Sequence, residues 1–219
     1  MFLRNSNSDG FADFSFNFGQ AGDLPIAGDW DGKPANTPPN SGVNNPAEGS
    51  NRVGETQVFT TTCSDPDGWH DLRKIDFKLA QTRKAGRGAD DRDDSSRAKD
   101  DWRDRDEKNE DRPADGSSVI FWARFDENRN VIRFYDPELN TWLEGAPGSN
   151  IVLESDYARL YLSGTAVQGS GPLGPSVQIT WTVQFKEAAK GNYKQFLKIT
   201  DDTGLSTGFD WVGSWKVKH

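Results

Sequence analysis

The chain has 219 residues, a net charge of −8, 33% hydrophobic and 27% charged residues. That length suits one large or two small domains, and the low hydrophobic share confines the core to part of the chain. An acidic surface argues against nucleic acid as a partner, and no apolar run is long enough to span a bilayer. The single cysteine, Cys63, rules out an intrachain disulfide and an all-cysteine metal site. With 22 Gly, 11 Pro, 8 Trp and 13 Phe, and no long helical period, the composition favours an all-β chain with many turns. The N-terminal MFLRNSNSDG lacks the apolar core of a secretory signal. The expectation is a mature or excised piece, or a protein not secreted by that route.

Residues 1–33 form a distinct piece. Phe11, Phe14, Phe16 and Phe18 lie among Gly, Asn and Asp, and DFSFNFG alternates with the period of a strand. GDLPIAGDWDG follows and ends at Lys33-Pro34. FLRNSNSDGFADFSFNFG and GDLPIAGDWDG resemble one unit of the FG-GAP/VCBS-like repeats of bacterial surface proteins. In that family the units build propeller blades, and the acidic loop holds Ca²⁺. The resemblance therefore implies a partial β unit, with Asp29 and Asp31 as candidate cation ligands. The alternation over residues 11–18 also suits strand addition to a neighbouring copy, which would build an open-ended filament, with the four phenylalanines as assembly residues.

Residues 34–52, PANTPPNSGVNNPAEGSNR, read as an extended polar linker. Val58 to Ala80 then reads as strand, acidic turn, strand. Ile75, Phe77 and Leu79 alternate with Asp76 and Lys78, and Ser64-Asp65-Pro66-Asp67-Gly68-Trp69 carries the residues of a turn. Cys63 falls inward if Phe59 does, as a buried inert thiol. Residues 82–116 mix acids and bases around one large apolar residue, Trp102, and are expected to be a disordered charged insert.

From Ser117 the core resumes. SSVIFWARF reads as a strand buried on both faces, and VIRFYD returns after a turn. Residues 136–149 read as a loop containing Trp142, and RLYL as a short strand. GSGPLGP, residues 169–175, is a turn. Val177, Ile179, Trp181, Val183 and Phe185 then form the cleanest alternation in the chain. Residues 193–200, the acidic turn Asp201-Asp202-Thr203-Gly204 and residues 209–217 close the sheet. About eight strands over residues 53–219 predict an antiparallel β-sandwich. ITDDTGLSTGFDWVGSWKV, and the similar SDPDGW turn, resemble the acidic turns of Ig-like and cadherin-like modules of bacterial surface proteins. The fold class expected is thus an all-β, Ig-like antiparallel sandwich preceded by a short β segment, with Trp181 as its core tryptophan.

The acidic turns are the leading functional candidates, since Ca²⁺ takes carboxylate and carbonyl oxygens. Asp65 with Asp67 and Asp201 with Asp202 join Asp29 and Asp31 as candidate ligands, although Asp and Gly also form ordinary turns. Loop tryptophans Trp69 and Trp142 are candidates for stacking on a sugar or anchoring a partner, or else for capping the sandwich. His70 beside Asp71 does not read as a triad, and no GxSxG, HExxH or phosphate loop occurs. The reading is a non-enzymatic structural or adhesive module, extracellular or on the cell surface. Its partners are other copies of itself, a surface protein or a glycan, and the alternative is a carbohydrate-binding module.

Overall fold

A computed structural model of the chain describes residues 36–81 and 119–219, together with the backbone of Phe2–Leu3 and Phe14–Ser15. The chain divides into two compact units, Met1–Pro34 and Ala35–His219. In the first, β1 (Phe2–Leu3) pairs antiparallel with β2 (Phe14–Ser15). Phe14 thus lies on a strand, while Phe11, Phe16, Phe18, Asp29, Asp31 and the charged insert lie outside the described residues.

The second unit is an all-β sandwich. Its strands are β3 (Asn40–Asn45), β4 (Glu48–Arg52), β5 (Thr56–Ser64), β6 (Leu72–Ala80), β7 (Val119–Asp126), β8 (Val131–Asp136) and β9 (Thr141–Gly145). They continue with β10 (Val152–Glu154), β11 (Ala158–Tyr161), β12 (Ala166–Gly169), β13 (Ser176–Phe185), β14 (Gly191–Asp201) and β15 (Asp210–Lys218). A six-stranded sheet runs β10-β11-β13-β5-β3, with β12 also on β13, and a seven-stranded sheet runs β4-β15-β14-β6-β7-β8-β9. Pairing is antiparallel except for β4, which lies parallel to β15. No helix among the described residues is long and apolar enough to cross a membrane.

The alternating strands put one set of side chains into the space between the sheets. Phe59, Trp181, Val183 and Phe185 come from the six-stranded sheet, and Phe77, Phe121 and Trp215 from the other; all are buried. Their rings meet across the gap: Phe59 lies 5.2 Å from Phe77 and 4.9 Å from Trp215, both edge to face. Each such side chain contributes about 1.5–3 kcal/mol of burial. Trp181 is fully buried and its indole N–H donates to Thr61 Oγ1 at 3.1 Å, which satisfies the one polar group it brings inside. Cys63 faces inward as expected, and burial pushes its thiol up to about 12.

Two segments differ from the sequence reading. The stretch read as a linker carries β3 and β4, one in each sheet, with the chain changing sheets at the cis Asn45–Pro46 bond. Its inward positions are Gly42 and Asn44, so no apolar alternation marked β3. Asn44 donates instead to Gln195 Oε1 inside the sandwich. Residues 136–149, read as a loop, contain β9. A tight turn closes the β8–β9 hairpin: Asn140 takes a left-handed φ of 50°, and Asp136 Oδ1 accepts from the Glu138 N–H at 3.0 Å. Three of the five residues of β9 are threonine, glutamate and glycine, which hides a strand whose Trp142 lies opposite Tyr135 of β8, a pairing that favours the hairpin.

The outer face of the seven-stranded sheet is unusual for its burial. Trp122 is 1% exposed and lies 5.5 Å from Tyr135 and 5.1 Å from Trp142. Lys78 sits 3.5 Å from the Phe209 ring centroid, and Arg124 lies 4.8 Å from that of Trp142. Asp76 accepts from Trp122 Nε1 at 2.7 Å and from Arg124 Nε at 2.8 Å, pairing a buried charge with two donors.

Candidate metal centre

The turn between β5 and β6 gathers three carboxylates. Asp65 follows directly on the strand, and its Oδ1 accepts the Asp67 N–H at 2.8 Å, a side chain mimicking a backbone turn. Gly68, at φ 115°, redirects the chain into a short 3-10 turn, Trp69–Asp71, which brings Asp71 back toward Asp65. One carboxylate oxygen from each of Asp65, Asp67 and Asp71 lies within 4.8 Å of the others. Asp67 is exposed and Asp71 half-buried.

Asp65 distinguishes this cluster from an ordinary turn. It is 0% exposed, and its Oδ2 is buried with no hydrogen-bond partner. Burial raises its pKa; the Asp67 N–H opposes that, and the charges of Asp71, Asp67 and Asp201 raise it further. A buried carboxylate with a bare oxygen beside two others is in the surroundings that a bound cation would make favourable.

Asp201, the last residue of β14, is the counter-example. Burial pushes against its ionised form, but hydrogen bonds from Asn36, Thr203 and Leu205 hold its carboxyl below the usual range. Its Oδ1 accepts from the Thr203 N–H, Thr203 Oγ1 and the Leu205 N–H at 2.8–2.9 Å, and its Oδ2 from Asn36 Nδ2 at 2.9 Å. Asp201 is thus saturated by its own turn. The Asp202 carboxylate accepts from Asn128 Nδ2 at 2.7 Å, while its backbone N–H donates to Asp71 O at 2.8 Å.

The first residues of the sandwich close the corner. The Thr37 N–H donates to Asp67 Oδ2 at 2.6 Å. Asn36 gives its amide hydrogens to Asp201 and Thr203, which leaves its Oδ1 buried without a partner. The three carboxylates make an all-oxygen donor set, the kind a hard cation selects; a further oxygen such as Asn36 Oδ1, with water and backbone carbonyls, would complete the 6–8 oxygens of Ca²⁺.

Of the residues singled out from sequence, the structure brings Asp65 and Asp67 together, places Asp201 close by with its carboxylate saturated, and ties Asp202 to the cluster only through its backbone N–H, which donates to Asp71 O at 2.8 Å. Asp71 and Asn36 were missed. Asp71 was read only as the neighbour of His70, and Asn36 lay in the supposed linker; the repeated Asp of Asp65, Asp67 and Asp71 was the available signal. Trp69 is half-buried, its Nε1 donates to Gly171 O at 2.8 Å, and a Cβ on Gly169 would come within 2.2 Å of its ring. It therefore caps one end of the sandwich. Trp142 stands on β9 rather than in a loop. His70 Nδ1 lies 2.6 Å from Glu127 Oε1.

No protein-family model matches this chain. Among curated proteins, none matches it.

Proposed function

We propose that this chain is a non-enzymatic structural or adhesive module of a bacterial extracellular or surface protein, pinned at one end of its sandwich by a divalent cation. The cation is Ca²⁺, held by Asp65, Asp67, Asp71 and the Asn36 carbonyl. The single observation carrying this reading is the buried Asp65 carboxylate, its Oδ2 unpartnered, clustered with two further carboxylates. The repeat-like N-terminal segment and the acidic turns support a surface setting, where other copies of the chain, a surface protein or a glycan are the partners. Thermal melts in Ca²⁺ and in EGTA test it. A ligand at 100 times Kd that binds only the native state adds about 2.7 kcal/mol, a shift of roughly 5–10 °C for this size of domain. An identical midpoint in both conditions would overturn the cation reading.

A second reading, glycan binding, draws on the aromatic outer face. Trp211 on β15 is 61% exposed, with Lys194 Nζ 4.4 Å from its ring centroid. Such an indole offers a stacking platform for a sugar. A glycan array on the wild type and on Trp211→Ala tests this reading, and no bound glycan in either rejects it.

A further inference from the structure

The strand beside the acidic cluster is weakly anchored by apolar burial. β3 is an outer strand of the six-stranded sheet, and Gly42 and Asn44 are its inward positions. It adds no large apolar side chain to the core, and its one large apolar residue, Val43, is 63% exposed. Its register against β5 shifts between Asn40 and Val43. Strands with few buried apolar contacts open at the low end of the stability range.

The ties at the start of β3 are polar, and most end on acids. The Thr37 N–H is bound to Asp67, Asn36 Nδ2 to Asp201 and Ser41 Oγ to Asp210 Oδ2 at 3.0 Å. Two of these three ties involve groups of the proposed cation site, Asp67 and Asn36. Beside the strand, on β5, lies Cys63, its thiol turned between the sheets. A Cβ on Gly42 would come 3.1 Å from Cys63 Sγ and 3.1 Å from Ile199 Cδ1, so the Gly42 backbone roofs the thiol.

We propose that the cation site is a latch for β3: cation binding fixes Asp67 and Asn36 and holds the strand on β5, and cation loss lets residues 36–45 lift and uncover Cys63. This rests on the cation reading above. Without the ion, Asp65, Asp67 and Asp71 repel one another, and the movement of Asp67 away from Asp65 carries the Thr37 anchor with it. Because the lifted state lacks the Asn36 and Asp67 ligands in place, the cation binds the closed state preferentially. At 100 times Kd the opening equilibrium falls about 100-fold.

Cys63 is the only cysteine of the chain, so it reports the motion directly. The experiment follows maleimide labelling of the full chain in saturating Ca²⁺ and in EGTA, across low urea concentrations, with Ca²⁺ binding measured in parallel by equilibrium dialysis. Expected are bound Ca²⁺ and labelling at least tenfold faster in EGTA, with a urea dependence much shallower than that of global unfolding. In Asp71→Asn, labelling is expected to proceed at the same rate with and without Ca²⁺; should that variant misfold, the wild-type comparison decides alone. Bound Ca²⁺ with equal labelling rates overturns the latch and leaves the cation site standing. So does faster labelling that carries the full urea dependence of global unfolding. No bound Ca²⁺ overturns both.

Discussion

Asp65→Asn separates a cation ligand from a turn residue. Asparagine keeps the side-chain oxygen that accepts the Asp67 N–H but removes the charge. In EGTA the wild type holds three carboxylates with oxygens within 4.8 Å of one another. At that distance and an effective dielectric of ~20, a pair of charges repels by about 3 kcal/mol, less where Asp67 is exposed to solvent. The variant is therefore expected to equal or exceed the wild type in EGTA, by on the order of 1–3 kcal/mol. In Ca²⁺ the order reverses, because the wild type gains about 2.7 kcal/mol at 100 times Kd and the variant loses most of that gain. Acidity gives an independent check. Asp65 has a raised pKa in the folded state, so the native chain holds an extra proton between the ordinary value of 3.8 and the raised one. In EGTA its contribution is present below 3.8 and is lost as pH rises through that window. The assay is urea unfolding followed by tryptophan fluorescence, in EGTA and in Ca²⁺, over that pH range. A variant destabilised equally in EGTA and in Ca²⁺ would make Asp65 a turn residue and refute the reasoning.

Three further predictions concern the frame around the site. Asp76→Ala strands Trp122 Nε1 and one tie of Arg124. It should cost about 3 kcal/mol in urea unfolding, the lower end for breaking a buried pair, because Arg124 has further partners; an unchanged midpoint would argue against a buried network. Gly42→Ala drives a methyl against Cys63 Sγ and Ile199 Cδ1 and should cost about 1–3 kcal/mol, with wild-type stability as the contrary result. Side-chain hydrogen bonds from Arg159 and Lys186 hold the Glu154 carboxyl down to about 2. Its contribution is present above the ordinary 4.5 and lost as pH falls toward about 2. The pair is half-exposed, so Glu154→Gln should remove only a shallow, salt-screened part of the acid transition in thermal melts. A steep change that persists at high salt would contradict that.

Strands whose inward positions are apolar were legible in the sequence. Val177 to Phe185 alternates cleanly and is β13; Ile75, Phe77 and Leu79 marked β6; VIFWARF marked the doubly buried β7. β3 was hidden because a glycine and an asparagine face the core, and β4 because EGSNR is a polar edge strand held by parallel backbone pairing to β15. β9 was masked by its turn residues, and its Trp142–Tyr135 pairing is visible only once the register is known. At the site, Asp65 and Asp67 could be picked out by their spacing before Gly68. Nothing local distinguishes Asp65 from Asp201. That difference depends on which donors the fold brings to each carboxylate: three groups of its own turn and Asn36 for Asp201, and a single N–H for Asp65.

Calorimetric titration of Ca²⁺ into the full chain and into Asp65→Asn tests cation binding at this corner most directly. The account predicts one saturable site in the wild type and its loss, or at least a tenfold weakening, in the variant. No saturable heat in the wild type, or the same affinity in both chains, would contradict it.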